Sequence, residues 1–212
     1  MSKAVIFDFD GTLVDSKKAI NQCFQRITER IAPERVNYAK NILIGPPLRE
    51  TVSNILGLEY KNKLDEFINQ FIEMHDEKVI MYTQPYSQVT ETLKKLYEEK
   101  ISMVVATNKR EVPTIKLINY YNWQSYFISI ECSDSHKSMR NKDEIVHDII
   151  KKNNIFKKSY FVGDTVNDGL SANRNQLQFI RANYGYGLNQ NWSDVRICKK
   201  IGAFIDLESI LI

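Results

Sequence analysis

Two aspartates one residue apart, Asp8 and Asp10, close a short apolar run and are followed at once by Gly11. For folding alone this is an awkward place for acids, because like charges repel and an unpaired ion is costly to bury. A divalent cation removes the difficulty. A sparse set of hard carboxylate oxygens suits Mg²⁺, which keeps several waters and takes its remaining ligands from a substrate phosphate. A third carboxylate, Asp164, ends a later apolar run, and Asp168 stands four residues beyond it, one turn on if a helix has begun. With a metal screening the phosphate dianion, a carboxylate can attack phosphorus and form an aspartyl-phosphate. The departing alkoxide then needs a proton. Asp10 is placed to supply it and is expected to hold one part of the time.

Phosphoryl transfer also demands positive charge and hydrogen-bond donors around the equatorial oxygens. Thr107 and Asn108 end the run ISMVVA and offer a hydroxyl, an amide and main-chain N–H groups. A lysine should complete the set. Lys142 opens a predicted helix, Lys137 lies just upstream, and the residues alone leave the choice between them open.

These residues need elements to hold them. The run 3–9 (KAVIFDF) predicts a buried strand. From 16 to 81 the apolar residues recur with helical spacing, interrupted at Gly45-Pro46-Pro47 and at Gly57, and no strand is evident. Beyond Pro85, helices and strands alternate. Helices are predicted at 89–100 (with Val89, Leu93, Leu96 and Tyr97 inward), from Pro113 onward, at 142–153 and around 168–174. Strands are predicted at 101–106, 127–131, 160–162, 177–180 and 203–205. The pattern implies an α/β fold, a three-layer Rossmann-like core with a parallel sheet. The core takes 1–15 and 82–212, and an α-helical cap is inserted at 16–81. Ligands of such sheets bind beyond the carboxyl ends of the strands. Three predicted strand ends carry Asp8 and Asp10, Thr107 and Asn108, and Gly163 and Asp164, so all three should converge on one edge.

DFDGTLVDS, the TN of VVATNK, a lysine before a helix, and GDTVND resemble the four motifs of the haloacid dehalogenase-like superfamily, and the resemblance runs over the whole chain. The resemblance is close to the branch typified by phosphoglycolate phosphatases, whose α-helical cap sits between the first motif and the rest. IGPPLRETV resembles that branch's cap entrance, and QPYSQVTETLKKL its return to the core. The resemblance implies that Asp8 is the nucleophile and a metal ligand. Asp10 is the general acid and base, with its main-chain carbonyl on the metal. Thr107, Asn108 and Lys142 bind the phosphoryl group, Asp164 ligates Mg²⁺, and Asp168 supports the ligands from behind. The pattern departs in two places. Lys142 is followed by Asp143 rather than proline, and Arg174-Asn175 replaces the usual Ala-Gly. Asn175 is expected to take the left-handed conformation that glycine would adopt.

The 212 residues carry a net charge of +3, with 43% hydrophobic and 26% charged, which excludes a disordered chain and gives no reason to expect nucleic acid. The opening run is broken by acids too early for a secretory h-region, and no stretch approaches a membrane span, so a cytoplasmic protein is expected. Three scattered cysteines and three dispersed histidines argue for a reducing compartment and against a zinc site. Arg49 and the aromatics at 120–127 read as surface charge and packing, and NYGYGLNQNW as a loop without an assigned role. The expected partner is a small phosphate ester, acted on by a monomer or homodimer. Three competitors remain. A phosphomutase would share the core. A dehalogenase is disfavoured by Asp10 and the intact GDTVND. A catalytically retired binding protein would be expected to lose the nucleophile or a metal ligand, and neither is lost.

Overall fold

Strand β1 (Ala4–Phe7) has no polar side, and the reason is topological. Its side chains alternate between two buried faces. Val5 and Phe7 join one apolar cluster, and Ala4 and Ile6 join another on the opposite side of the sheet. The computed structural model describes residues 4–136, 138–155 and 159–212, so Lys137 lies outside the described residues.

After β1 the chain turns at Gly11 into the two-residue strand β2 (Val14–Asp15) and then leaves the sheet. Four helices follow: α1 (Lys17–Ile31), α2 (Val36–Lys40), α3 (Leu48–Leu56) and α4 (Leu64–Tyr82). They bury a cluster of their own around Phe24, Ile27, Val52, Ile55, Phe67 and Phe71. The breaks fall where the sequence places them. Gly45-Pro46-Pro47 separates α2 from α3, and Gly57 ends α3 at φ +64°. The chain returns through β3 (Gln84–Pro85), which pairs antiparallel with β2, Val14 opposite Pro85 and Asp15 opposite Gln84. The last turn of α4 is already tied to the sheet, because Val79 packs in the same cluster as Phe7.

The remainder alternates as expected. It runs α5 (Val89–Glu98), β4 (Ser102–Thr107), α6 (Glu111–Tyr120), β5 (Phe127–Cys132), α7 (Lys142–Lys152), β6 (Tyr160–Gly163), α8 (Val166–Arg174), β7 (Gln178–Ala182), β8 (Lys199–Ile201) and α9 (Glu208–Leu211). The sheet order is β5-β4-β1-β6-β7-β8 with every pairing parallel. The chain winds outward from β1 in both directions, so the crevice where the winding reverses lies at the carboxyl end of β1. Six parallel strands with helices on both faces and a helical excursion after β2 make the α/β, Rossmann-like architecture.

Three local expectations are corrected. Residues 203–205 are not a strand. Asp206 accepts hydrogen bonds from the N–H groups of Gly202 (2.8 Å) and Ala203 (3.0 Å), which turns the chain into a 3₁₀ segment, Phe204–Leu207. The last strand is instead β8, whose pattern is too polar to be noticed because two of its three residues are exposed lysines at the sheet edge. Tyr97 does not join the inner face of α5. It is 49% exposed and tilts against Tyr126. Asn175 is not left-handed either (φ −88°). The positive φ falls one residue later, at Gln176, while the Asn175 amide donates to the carbonyl of Ser171.

Candidate active site

The sheet register decides which polar residues meet. Phe7 is opposite Val105 on one side and Val162 on the other, so Asp8, Ala106 and Gly163 stand level at the sheet's edge. The N–H of Asp8 still donates to the carbonyl of Val162 (2.9 Å), which fixes its main chain as an extension of β1. Asp8 is buried, as are Thr107, Lys142, Asp164 and Asp168. Asp8, Asp10, Thr107, Asn108, Lys142 and Asp168 all border one half-open cavity of about 710 Å³, counting the space at its mouth.

Three carboxylates cluster here, and one ammonium meets two of them. Oxygens of Asp8, Asp164 and Asp168 all lie within 4.8 Å of one another. The Lys142 Nζ donates to Asp8 Oδ1 and to the Ala106 carbonyl (3.0 Å), and stands 3.0 Å from Asp168 Oδ1. Lys142 reaches this point because α7 begins at it. Asn141 and Glu144 form a capping box, each bonding the other's main-chain N–H, which sets the helix start and aims the next side chain at the sheet edge. Asp168 is fixed the same way. It is the third residue of α8, and its carboxylate accepts from the Thr165 N–H (3.0 Å) and hydroxyl (2.6 Å). It therefore both caps the helix and faces Lys142.

The electrostatics follow from burial with too little compensating charge. Burial pushes the Asp8 carboxyl up to about 7. The neighbouring Asp168 carboxylate adds to the rise, and Lys142 only partly opposes it. Burial also raises Asp164 well above the ordinary carboxylate range, with Asp168 and Asp8 adding to it. Burial works against the charge of Lys142, but Asp168 and Asp8 outweigh it and hold the ammonium more firmly than in water. Such a site needs a proton or a cation. Its donors are hard oxygens and the backbone closes tightly around them. A Cβ on Gly11 (φ +92°) would lie 2.3 Å from Asp164 Oδ2, and one on Gly185 would lie 2.3 Å from Asp164 Cβ. The residues present fit a small divalent cation.

The raised Asp8 has a consequence for stability. Between about pH 4 and pH 7 the folded, metal-free protein holds a proton that the unfolded chain has released, so stability falls as pH rises through that window. Thermal unfolding in chelator should show wild type losing stability relative to Asp8→Asn across this range. A constant difference between the two proteins would contradict the assignment.

The structure brings Asp8, Asp10, Thr107, Asn108, Lys142, Asp164 and Asp168 to one end of the sheet, but the side chain of Asp10 is not in the carboxylate cluster. It engages Lys109, whose Nζ lies 3.0 Å from both Asp10 oxygens. Sequence reasoning passed over Lys109, although it directly follows Asn108. It also missed Thr12, whose hydroxyl donates to Asp164 (3.2 Å), and Tyr186, whose N–H donates to the other Asp164 oxygen (2.6 Å). Tyr186 comes from the glycine-rich loop left without a role, and the missing side chain at Gly185 is what lets that loop close on Asp164. Asn108 also has a second task. Its Nδ2 donates to the Gly45 carbonyl (2.9 Å), tying the end of β4 to the turn between α2 and α3.

The chain is similar to known proteins along most of its length. The description "Haloacid dehalogenase-like hydrolase" matches residues 5–182. A phosphoglycolate phosphatase from Agrobacterium fabrum is 28% identical over 193 residues, covering 88% of this chain and 82% of its own. A 5'-nucleotidase from Pseudomonas aeruginosa is 24% identical over 185 residues, covering 86% of this chain and 83% of its own. A haloacid dehalogenase-like family hydrolase from Streptococcus pneumoniae superposes with a TM-score of 0.83 at 18% identity, over 100% of this chain and 99% of that one, a likeness of fold. With the family pattern spanning the strands that carry Asp8, Thr107 and Asp164, this chain belongs to the haloacid dehalogenase-like hydrolases.

Proposed function

We propose that this chain is a Mg²⁺-dependent phosphatase that hydrolyses a small phosphate monoester through an aspartyl-phosphate. One observation carries the reading. A buried carboxylate, Asp8, borders a cavity at the sheet edge, in contact with a lysine and within 4.8 Å of two further acids. The likeness to phosphoglycolate phosphatases supports a small monoester as the substrate class.

In the first half-reaction an Asp8 oxygen attacks phosphorus, the bond from phosphorus to the ester oxygen breaks, and the alkoxide takes a proton from Asp10. In the second, Asp10 withdraws a proton from water as that water attacks phosphorus, releasing inorganic phosphate and restoring Asp8. Lys109 holds the Asp10 carboxyl in the structure, so handing over a proton requires that contact to loosen. Thr107, Asn108 and Lys142 hold the phosphoryl oxygens. Asp8, Asp164 and the main-chain carbonyl of Asp10 would hold Mg²⁺, which supplies the charge that lets a phosphate dianion approach an anionic nucleophile. Asp168, braced by Thr165, keeps Lys142 aimed at Asp8.

The segment 16–81 is read as a cap on a core of 1–15 and 82–212. The antiparallel β2–β3 pair supports this, because it brings the outgoing and returning chains side by side. The bond from Asn108 to Gly45 supports a closed position over the phosphate site. A cytoplasmic location rests on three cysteines with free thiols. No helix among the described residues is long and apolar enough to cross a membrane.

Phosphate release from p-nitrophenyl phosphate tests the reading. Turnover should appear with Mg²⁺ and fall to background in excess EDTA. Turnover indifferent to chelator would defeat the metal assignment, and none with any ester would defeat the phosphatase.

A further inference from the structure

Tyr186, in the loop between β7 and β8, touches two places at once. Its main chain meets the buried acids, and its side chain meets the point where the helical segment leaves the sheet. The Tyr186 N–H donates to Asp164 Oδ2 (2.6 Å). Its hydroxyl accepts from the Ser16 N–H (2.8 Å) and donates to Asp15 Oδ1 (3.1 Å). Asp15 ends β2, Ser16 is buried, and α1 begins at the next residue.

The first turn of α1 depends on this contact. Ser16 stands at the cap position, but its own side chain caps nothing. Asp15 Oδ1 accepts from the Lys17 N–H (3.0 Å) as well as from Tyr186, so the tyrosine steadies the carboxylate that serves the helix start. The Tyr186 ring packs against the apolar cluster of the helical segment. Through Ile20 and Phe24, α1 then forms part of the cavity wall.

A second strut runs beside the first. The Thr12 hydroxyl donates to the other Asp164 oxygen (3.2 Å), and the Thr12 carbonyl accepts from the Tyr184 hydroxyl (3.0 Å). Tyr184 lies against Tyr86, ring centres 4.8 Å apart, and the Tyr86 N–H donates to the Leu13 carbonyl (3.1 Å), joining the returning chain to the outgoing one. Both Asp164 oxygens are thus held by residues that belong to, or touch, the chain leaving the sheet. The loop can approach this closely because residue 187 is glycine. A Cβ there would collide with the Asp164 carbonyl oxygen.

We propose that Tyr186 is a positioning residue that couples Asp164 to the base of the helical segment, so that a divalent cation on Asp164 firms the first turn of α1. This rests on the cation assigned to Asp164 in the phosphatase reading and extends it. A carboxylate held by a cation moves less, and its bond to the Tyr186 N–H passes that restraint to the loop and, through the phenol, to Ser16. No second arrangement of the helices is required, because a tether that breaks less often is itself a coupling. Such coupling is reciprocal, so an intact tether raises cation affinity by the same factor.

Tyr186→Phe keeps the ring and the main-chain N–H and removes only the hydroxyl. Amide hydrogen exchange followed by NMR, in chelator and in saturating Mg²⁺, reads the Ser16 N–H directly. In wild type Mg²⁺ should slow exchange at Ser16 by about fivefold or more, the lower end of coupling between sites. In Tyr186→Phe exchange at Ser16 should be faster and indifferent to Mg²⁺. Titration calorimetry should show Mg²⁺ binding the variant more weakly by the factor measured in exchange. A hydroxyl that merely braces the fold would also speed exchange at Ser16, but it would leave Mg²⁺ affinity equal in the two proteins, and that equality would overturn the inference. The wild-type comparison needs no variant to fold. Mg²⁺ that slows exchange at Gly163–Asp168 and leaves Ser16 unchanged defeats this inference alone. No response to Mg²⁺ at either place, with no heat of binding, defeats the metal assignment as well.

Discussion

Asp8→Asn should lose turnover of every phosphate ester by a factor on the order of 10⁴ or more while the protein folds as well as wild type or better. The two halves of this result come from the same atom. An amide oxygen cannot form the acyl phosphate, so the covalent route closes. The amide is nearly the same size and can still accept from Lys142, so packing is kept. It also removes one of three clustered buried acids, and the raised proton affinity of Asp8 says that its charge is unwelcome in the metal-free fold. Steady-state rates with Mg²⁺, paired with thermal unfolding, read both halves. Slow deamidation would return the aspartate, so Asp8→Ala, which cannot revert, serves as a control. Substantial activity in Asp8→Ala would remove Asp8 as the nucleophile. A joint loss of activity and fold would mean that the residue is structural.

Lys142→Met should behave in the opposite way, losing both stability and rate. The ammonium is the group that contacts Asp8 and Asp168 together, and all three side chains are buried. Removing one member of a buried ion pair costs about 3–5 kcal/mol, because the remaining charges are left uncompensated. Loss of a donor to the phosphoryl oxygens should lower the rate by about 10²–10³-fold. The stability deficit should depend on pH, and its sign is fixed. In wild type the lysine stays charged throughout the range in which carboxylates titrate, since Asp168 and Asp8 raise its proton affinity further. Without it, the folded acids hold their protons more tightly than the unfolded ones, so the variant loses stability as pH rises from about 4 and recovers it on acidification. Denaturant unfolding of both proteins at pH 5 and pH 8 measures this. A deficit equal at the two pH values would show that the loss is one of packing rather than charge.

How much of this was legible beforehand varies with how local each signal is. β1 was readable because a parallel strand buried on both faces must be apolar throughout, and AVIF is. The helices of 16–81 were readable from spacing, and their ends from Gly45-Pro46-Pro47 and Gly57. β8 was not, because an edge strand needs only main-chain partners, and the exposed lysines of Lys199–Ile201 carry no pattern. Asn175 was misjudged for a related reason. Its type tolerates the left-handed region, but the helix ran one residue longer than the motif suggested, and Gln176 took that conformation instead.

The site divides in the same way. Its acids were evident from sequence, since an Asp-x-Asp pair and a Gly-Asp pair at the ends of apolar runs have little reason to exist without a cation or a reaction to serve. That Asp168 caps α8 was within reach, because Thr165 and Asp168 have the spacing of a capping box. The partners of these groups belong to the tertiary structure alone. Lys109 on Asp10, Tyr186 on Asp164 and Asn108 on Gly45 join residues separated by 99, 22 and 63 positions. His75 is the plainest case. In the sequence it is one polar residue in an amphipathic helix, and nothing nearby marks it. Its surroundings come from the packing of α4, which buries the ring beside Phe71 and leaves Nε2 without a hydrogen-bond partner among the described residues. The sequence by itself therefore determined the family and the acids at the strand ends, because strand-end carboxylates are encoded locally by periodicity and turn residues. Only the tertiary structure decided which charges cancel and which polar atoms are left over, because both depend on distances between elements far apart in the chain.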